Sequence, residues 1–308
     1  MNETAYREAE TRLWNSVGHR PNEKMVALAS TGTRVRVQVV GDGPPVLFIH
    51  GGPNAGSTWA PIIGAFDGYT CLMVDRPGTG LSDGLESVPE LPAFMEFADR
   101  FVADVLGAMD IDRADVVASS LGGYVALRSA VAAPDRIRRM VQMACPAFAQ
   151  GMLTPPFMKI MRRAWFRRLT GVLPPSPGIN DRIMRQMGHG PSIDEGRFPQ
   201  AFRDWYLDLQ RHTDTNKNDG NLIGKVFTGS GWDQGLALDD DLLASVTTPT
   251  LFLWGELDGF GGKDVAEAMV GSMPNASLEM IGDSGHLPWL DFPAEIGART
   301  RTYLDDGH

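Results

Sequence analysis

Six short apolar runs, each stopped by a turn, limit what this chain can fold into: PVLFIH (45–50), YTCLMVD (69–75), ADVVAS (114–119), RMVQMAC (139–145), TLFLWG (250–255) and SLEMIG (277–282). Runs of that length, apolar on both faces, suit strands of a parallel sheet covered by helices on either side. Helical stretches lie between most of them. Leu91–Ala108 opens near Pro92 and sets Phe94, Phe97, Phe101, Val105 and Met109 at helical intervals. Residues 121–133 form a small-residue helix and 291–304 an amphipathic one. Alternation of strand and helix predicts an open, wound α/β sheet. Ahead of it, KMVALAS (24–30) and RVRVQVVG (34–41) flank Thr31-Gly32 as a hairpin, which makes the sheet mixed. Residues 3–15 read as a short amphipathic helix packed on the body.

The rhythm breaks once. From 147 to 238 no comparable strand occurs; instead there are prolines at 155, 156, 174, 175 and 177, many methionines, and the basic pairs Arg162-Arg163 and Arg167-Arg168. Helical patterns at 156–170, 179–188 and 198–213 predict an inserted helical subdomain. The expected organisation is a core of 1–146 and 239–308 with an insertion of 147–238. The arginines read as a solvated helix face, with attraction of an anionic substrate group as the alternative.

Charge narrows the partners. The 308-residue chain carries 28 basic against 38 acidic residues, a formal charge of -10. Such a surface repels phosphate backbones and anionic lipid, which argues against nucleic acid and peripheral membrane and leaves a small-molecule substrate. No run approaches the roughly 18 apolar residues of a membrane span. The start, MNETAYREAETRLW, lacks the apolar core of a secretory signal. Cys71 and Cys145 lie in strand-like runs and read as buried free thiols, so a reduced, cytoplasmic protein is expected. Nothing in the sequence fixes an oligomeric state.

The chemistry concentrates at Val116-Val117-Ala118-Ser119-Ser120-Leu121-Gly122-Gly123, where a buried strand runs straight into a helix. A nucleophile elbow needs a sharp turn that lifts one hydroxyl above the sheet, with small residues two before and two after it so that strand and helix can approach. Ala118 and Gly122 meet that demand around Ser120. Centring the turn on Ser119 would put Val117 and Leu121 at the small positions. Ser120 is therefore the candidate nucleophile.

A nucleophilic serine needs a base, and the base an orienting acid. Of the six histidines, His286 follows the last strand, in Gly282-Asp283-Ser284-Gly285-His286. His50 ends an earlier strand, His189 and His212 lie in the insertion, and His19 and His308 are near the termini. TLFLWG opens into Glu256-Leu257-Asp258-Gly259, so Asp258 can stand beside the loop of His286; Asp283 is the weaker candidate, because its neighbourhood to His286 constrains reach. An oxyanion needs backbone donors. After PVLFIH, His50-Gly51-Gly52-Pro53 can turn the Gly52 amide into the site, with the Leu121 amide as second donor. His50 itself reads as a structural brace.

Together HGGP at 50–53, Asp75-Arg76-Pro77-Gly78-Thr79-Gly80-Leu81-Ser82, the elbow, GELD at 255–258 and GH at 285–286 resemble the α/β-hydrolase superfamily, in the right order over about residues 24–305. The resemblance implies an eight-stranded, mostly parallel sheet flanked by helices, with a helical cap after the sixth strand that corresponds to 147–238. Nucleophile, acid and base in the order Ser120, Asp258, His286 also match that fold. It does not imply a substrate.

A serine at the elbow separates the chain from haloalkane dehalogenases and epoxide hydrolases, which use aspartate there. Proline iminopeptidases carry HGGP usually followed by glycine, where this chain has Asn54. A small ester or lactone is the leading substrate class. A carbon–carbon bond hydrolase acting on a diketone is the runner-up, a proline-iminopeptidase-like peptidase a further alternative, and a non-catalytic receptor of the same fold the alternative of another class. Trp165, Trp205 and Tyr206, with Phe148, Met152, Phe157, Phe166, Phe227 and Trp232, are the apolar side chains expected to offer a substrate wall. No metal cluster, phosphate loop or dinucleotide fingerprint occurs in the sequence, so no cofactor is expected.

Overall fold

A computed structural model describes the chain apart from Glu86, Arg162, 164–175, 229–230 and 307–308. Eight strands form one sheet: β1 (Asn22–Ala27), β2 (Arg34–Val40), β3 (Pro45–Ile49), β4 (Thr70–Val74), β5 (Ala114–Ser119), β6 (Ile137–Met143), β7 (Thr250–Gly255) and β8 (Ala276–Ile281). Their spatial order is β1-β2-β4-β3-β5-β6-β7-β8. β2 runs antiparallel to β1 and β4, and every other pairing is parallel. The expected α/β-hydrolase sheet is what the chain builds.

Both faces of the central strands are dry, which is why their runs do not alternate. Leu47 and Ile49 join one core cluster while Val46 and Phe48 join the other. The first cluster is closed by α2 (Leu91–Ala108) and α3 (Leu121–Ala132). The second is closed by α1 (Glu3–Ser16) and by the C-terminal helix Pro293–Asp305. Among the described residues, no helix is long and apolar enough to cross a membrane.

Between β6 and β7 the chain leaves the sheet. Here lie α4 (Pro156–Met161), α5 (Pro177–Met184), a tight turn at Arg185–His189, α6 (Gln200–His212) and α7 (Thr215–Val226). The helical patterns at 156–170, 179–188 and 198–213 correspond to α4 to α6, with part of the first outside the described residues. α7 was not among them. Its sequence TNKNDGNLIGKV is polar around most of its circumference, and tertiary bonds hold it: Asn218 Nδ2 donates to Gly78 O (2.8 Å), and the Gly80 amide donates to Thr215 Oγ1 (2.9 Å).

The N-terminal helix joins the two parts. Asn2 caps it, and its flank packs on α6, where Arg12 pairs with Asp208 (3.0 Å). Its other side reaches a fully buried guanidinium: Arg36 meets Glu10 at 2.7 Å and Asp75 at 2.7 Å. Asp75 also accepts from the Gly56 and Leu81 amides, so the cluster fixes the loops after β3 and β4. Glu10→Ala would leave Arg36 short of a partner in a dry site, where removing one member of a buried pair costs about 3–5 kcal/mol. Urea unfolding of Glu10→Ala should show that loss; a midpoint within error of the parent would show the cluster to be inconsequential.

Candidate active site

Strands β3 to β8 run parallel, so the loops after their carboxyl ends gather along one edge of the sheet, where open α/β folds bind ligands. Ser120 sits at the turn from β5 into α3 with φ 54° and ψ -119°, a left-handed conformation that a non-glycine residue adopts only under constraint. The constraint is close packing of α3 on β3. A Cβ at Gly122 would lie 2.3 Å from Ile49 O and 2.6 Å from His50 O, so only glycine fits there. Ser120 thereby lines a cavity, whereas Ser119 is wholly buried and its Oγ has no hydrogen-bond partner among the described residues.

The loops after β7 and β8 bring Asp258 to His286. His286 Nδ1 lies 2.9 and 3.0 Å from the two carboxylate oxygens. The Cys145 amide (3.0 Å) and the Phe260 amide (2.8 Å) also donate to Asp258, fixing its plane. Asp283, the weaker candidate, is exposed. His286 and Ser120 both line the cavity, but His286 Nε2 has no hydrogen-bond partner among the described residues, so the serine–histidine bond is open in this state. Such bonds commonly tighten only with substrate in place. The Phe260 ring packs on the imidazole with centroids 4.3 Å apart.

Gly52 and Leu121 also line the cavity. The Gly51-Gly52 turn is held from below. Arg76 donates to His50 O (3.1 Å) and Gly51 O (3.0 Å) and pairs with Asp219 of α7 (2.9 Å). His50 donates from Nδ1 to Gly51 O (2.6 Å) and accepts at Nε2 from the Arg76 amide (3.2 Å). Burial, then the nearby Arg76 charge, push its pKa well below the ordinary histidine value, which suits a brace rather than a proton carrier. Burial raises the Asp219 carboxyl against the opposing pull of Arg76. Both cysteines are free and buried; burial pushes the Cys71 thiol up to about 12, and burial with the Asp258 charge raises Cys145.

The cavity measures about 560 Å³. Its wall combines the core loops with side chains of the inserted helices, among them Phe157, Met161, Ile183, Met187, Tyr206 and Leu222. Of the expected wall residues, Phe148, Met152, Phe157, Tyr206 and Phe227 take part. Trp205 does not: neighbours on a helix point about 100° apart, and while Tyr206 meets the cavity, Trp205 is buried beside Phe202, ring centroids 5.5 Å apart. Trp232 is likewise absent from the wall and packs on Phe148. Trp165 and Phe166 lie outside the described residues.

Two residues near the site had no signal in the sequence. Asp219 sits in a polar helix, and His189 is one of two histidines in the insertion with no neighbouring motif. His189 is fully buried and contacts Asp291 and the amide of Leu287, next to His286.

Comparison with known proteins matches residues 46–299 to a model of the alpha/beta hydrolase family. The chain is similar to a 2-hydroxy-6-oxononadienedioate/2-hydroxy-6-oxononatrienedioate hydrolase of Cupriavidus pinatubonensis, 28% identical over 78% of this chain and 80% of that one. It is also similar to a 2-hydroxy-6-oxo-6-phenylhexa-2,4-dienoate hydrolase of Burkholderia cepacia, 26% identical over 89% and 92% of the two chains. Among solved structures, naproxen esterase from Bacillus subtilis superposes with a TM-score of 0.74, covering 98% of this chain and 97% of that one at 17% identity, a likeness of fold.

Proposed function

The chain belongs to the alpha/beta hydrolase family, and from that premise we propose that it is a serine hydrolase cleaving a small, mainly apolar ester or lactone through an acyl-enzyme. Ser120 Oγ attacks the carbonyl carbon while His286 Nε2 takes its proton. The amides of Gly52 and Leu121 receive the oxyanion, and Asp258 holds the imidazole by Nδ1 as it becomes cationic. His286 then protonates the departing alkoxide, leaving the acyl group on Ser120. A water molecule, deprotonated by the same nitrogen, releases the acid. Residues 147–238 act as a cap over this site. The buried free cysteines fit a reducing compartment such as the cytoplasm.

One observation carries the substrate class: Ser120 and His286 open onto a wall that is mostly apolar. Of the charged residues in its described part, Asp219 is paired with Arg76, and Arg182 is exposed. An uncharged acyl group suits such a wall. A panel of p-nitrophenyl esters and lactones, with Ser120→Ala as blank, tests the reading; no turnover of any member would sink it. Carbon–carbon hydrolysis of a dienoic diketone acid is the second reading, favoured by the names of the similar Cupriavidus and Burkholderia proteins. Including one such diketone in the panel separates the two.

Tyr206 tests the wall. Tyr206→Ala should shift the preference between short and bulky acyl groups by about 1–3 kcal/mol, a pocket-sized effect. Trp205→Ala, which empties a core position, should instead lower stability by about 3–5 kcal/mol and leave the preference alone. Kinetics on two esters with parallel thermal melts measure both, and interchanged effects would overturn this assignment of the two aromatics.

A further inference from the structure

The site holds a second histidine–aspartate pair that the proposed reaction does not use. His189 Nδ1 lies 3.0 and 2.9 Å from the two oxygens of Asp291, and both side chains are fully buried. Asp291 Oδ2 also accepts from Ser284 Oγ and from the Gly285 amide, each at 2.9 Å. The other ring nitrogen, His189 Nε2, accepts from the Leu287 amide at 3.2 Å. With the Nδ1 proton directed at a carboxylate, Nε2 is left as the acceptor that an amide N–H requires. The pair thus holds the residues on either side of His286: Gly285 through Asp291, and Leu287 through His189.

His189 belongs to the insertion, not to the sheet. The turn that carries it is wedged between the two loops that present Asp258 and His286. The His286 amide itself donates to Met187 O at 2.9 Å. Gly188 has φ 98°, and a Cβ there would lie 2.0 Å from Leu257 O and 2.8 Å from the Gly285 Cα. The backbone of 187–188 therefore touches the loops of both proposed acid and base.

We propose that His189 is a positioning residue for His286: by accepting the Leu287 amide it sets the backbone from which the imidazole reaches Ser120. It touches no substrate and moves no proton. This rests on His286 being the base. The consequence is that the insertion completes the reaction centre besides shaping its pocket. A misplacement of about 1 Å costs on the order of 10² in rate, and that is the effect expected when the Leu287 amide loses its acceptor.

The test uses the full-length chain and its turnover of p-nitrophenyl butyrate, with thermal melts to set the folded fraction. His189→Ala should lower kcat on the order of 10²-fold while KM stays within about threefold, because ring placement rather than substrate fit is lost. His189→Gln places an amide oxygen near the Nε2 position and should recover about tenfold of the lost kcat, whereas His189→Asn, which reaches only Asp291, should not. A kcat for His189→Ala above about half of the parent, or a loss matched by the unfolded fraction, overturns the proposal. Should His189→Ala fail to fold, the other two decide: glutamine no better than asparagine overturns it. Ser120→Ala is run alongside. Turnover surviving in Ser120→Ala sinks the Ser120–His286 reading on which the proposal rests, while a dead Ser120→Ala with an active His189→Ala sinks only the role of His189.

Discussion

Ser120→Ala is expected to abolish labelling by a fluorophosphonate probe and to lower kcat by about 10⁴–10⁶ on any ester the protein turns over. The loss is large because serine and histidine act as a unit; without the hydroxyl, His286 has no proton to take. What remains is catalysis by the backbone donors and by binding. The control is one residue away. Ser119 is sealed inside β5 with no partner for its hydroxyl among the described residues, so Ser119→Ala should keep most of the activity. A probe that labels Ser120→Ala but spares Ser119→Ala would remove the assignment.

The second large effect concerns the base and its acid. His286→Ala should cost about 10⁴–10⁶ in kcat, and Asp258→Asn about 10⁴, because an amide in place of the carboxylate favours the wrong tautomer of the ring. Activity should rise with pH from the acid side, since only the neutral imidazole can accept the serine proton. His50 cannot supply that limb, because burial and Arg76 keep it neutral far below the ordinary histidine range. Asp283 is exposed and should tolerate Asp283→Asn. A crippled Asp283→Asn beside a healthy Asp258→Asn, read from kcat profiles between about pH 5 and 8, would mean the acid is misassigned.

The parts of this protein legible in its sequence are those where local pattern and tertiary environment agree. The six apolar runs became β3 to β8 because strands under helices keep mostly apolar side chains, the buried exceptions Asp115 and Gln142 being held by Arg138 and Gly123 O, and Leu91–Ala108 formed as its spacing implied. The elbow was legible through sterics: Gly122 leaves no room for a side chain against Ile49 O. Legibility failed where a residue's meaning comes from a distant partner. His189 looked like a stray histidine because Asp291 lies 102 residues further on. Asp219 was hidden in a helix whose own pattern is polar and whose support comes from Gly78, Gly80 and Arg76. Trp205 and Tyr206 were indistinguishable as letters, although the turn of α6 sends one into packing and the other to the cavity.

The clasp formed by α1 has a consequence for synthesis. Glu10 emerges from the ribosome well ahead of α6, yet its helix finishes against α6, where the Asn2 amide donates to His212 O at 2.7 Å. At roughly 5–20 residues per second, the nascent helix waits on the order of ten seconds or more for that partner. Over that interval Tyr6, Leu13 and Trp14, all buried in the finished molecule, have no complete surface to cover them. A helix made well before its partner is thus among the last elements to be fully docked, and the newborn chain carries a sticky segment that a chaperone would meet before the enzyme exists.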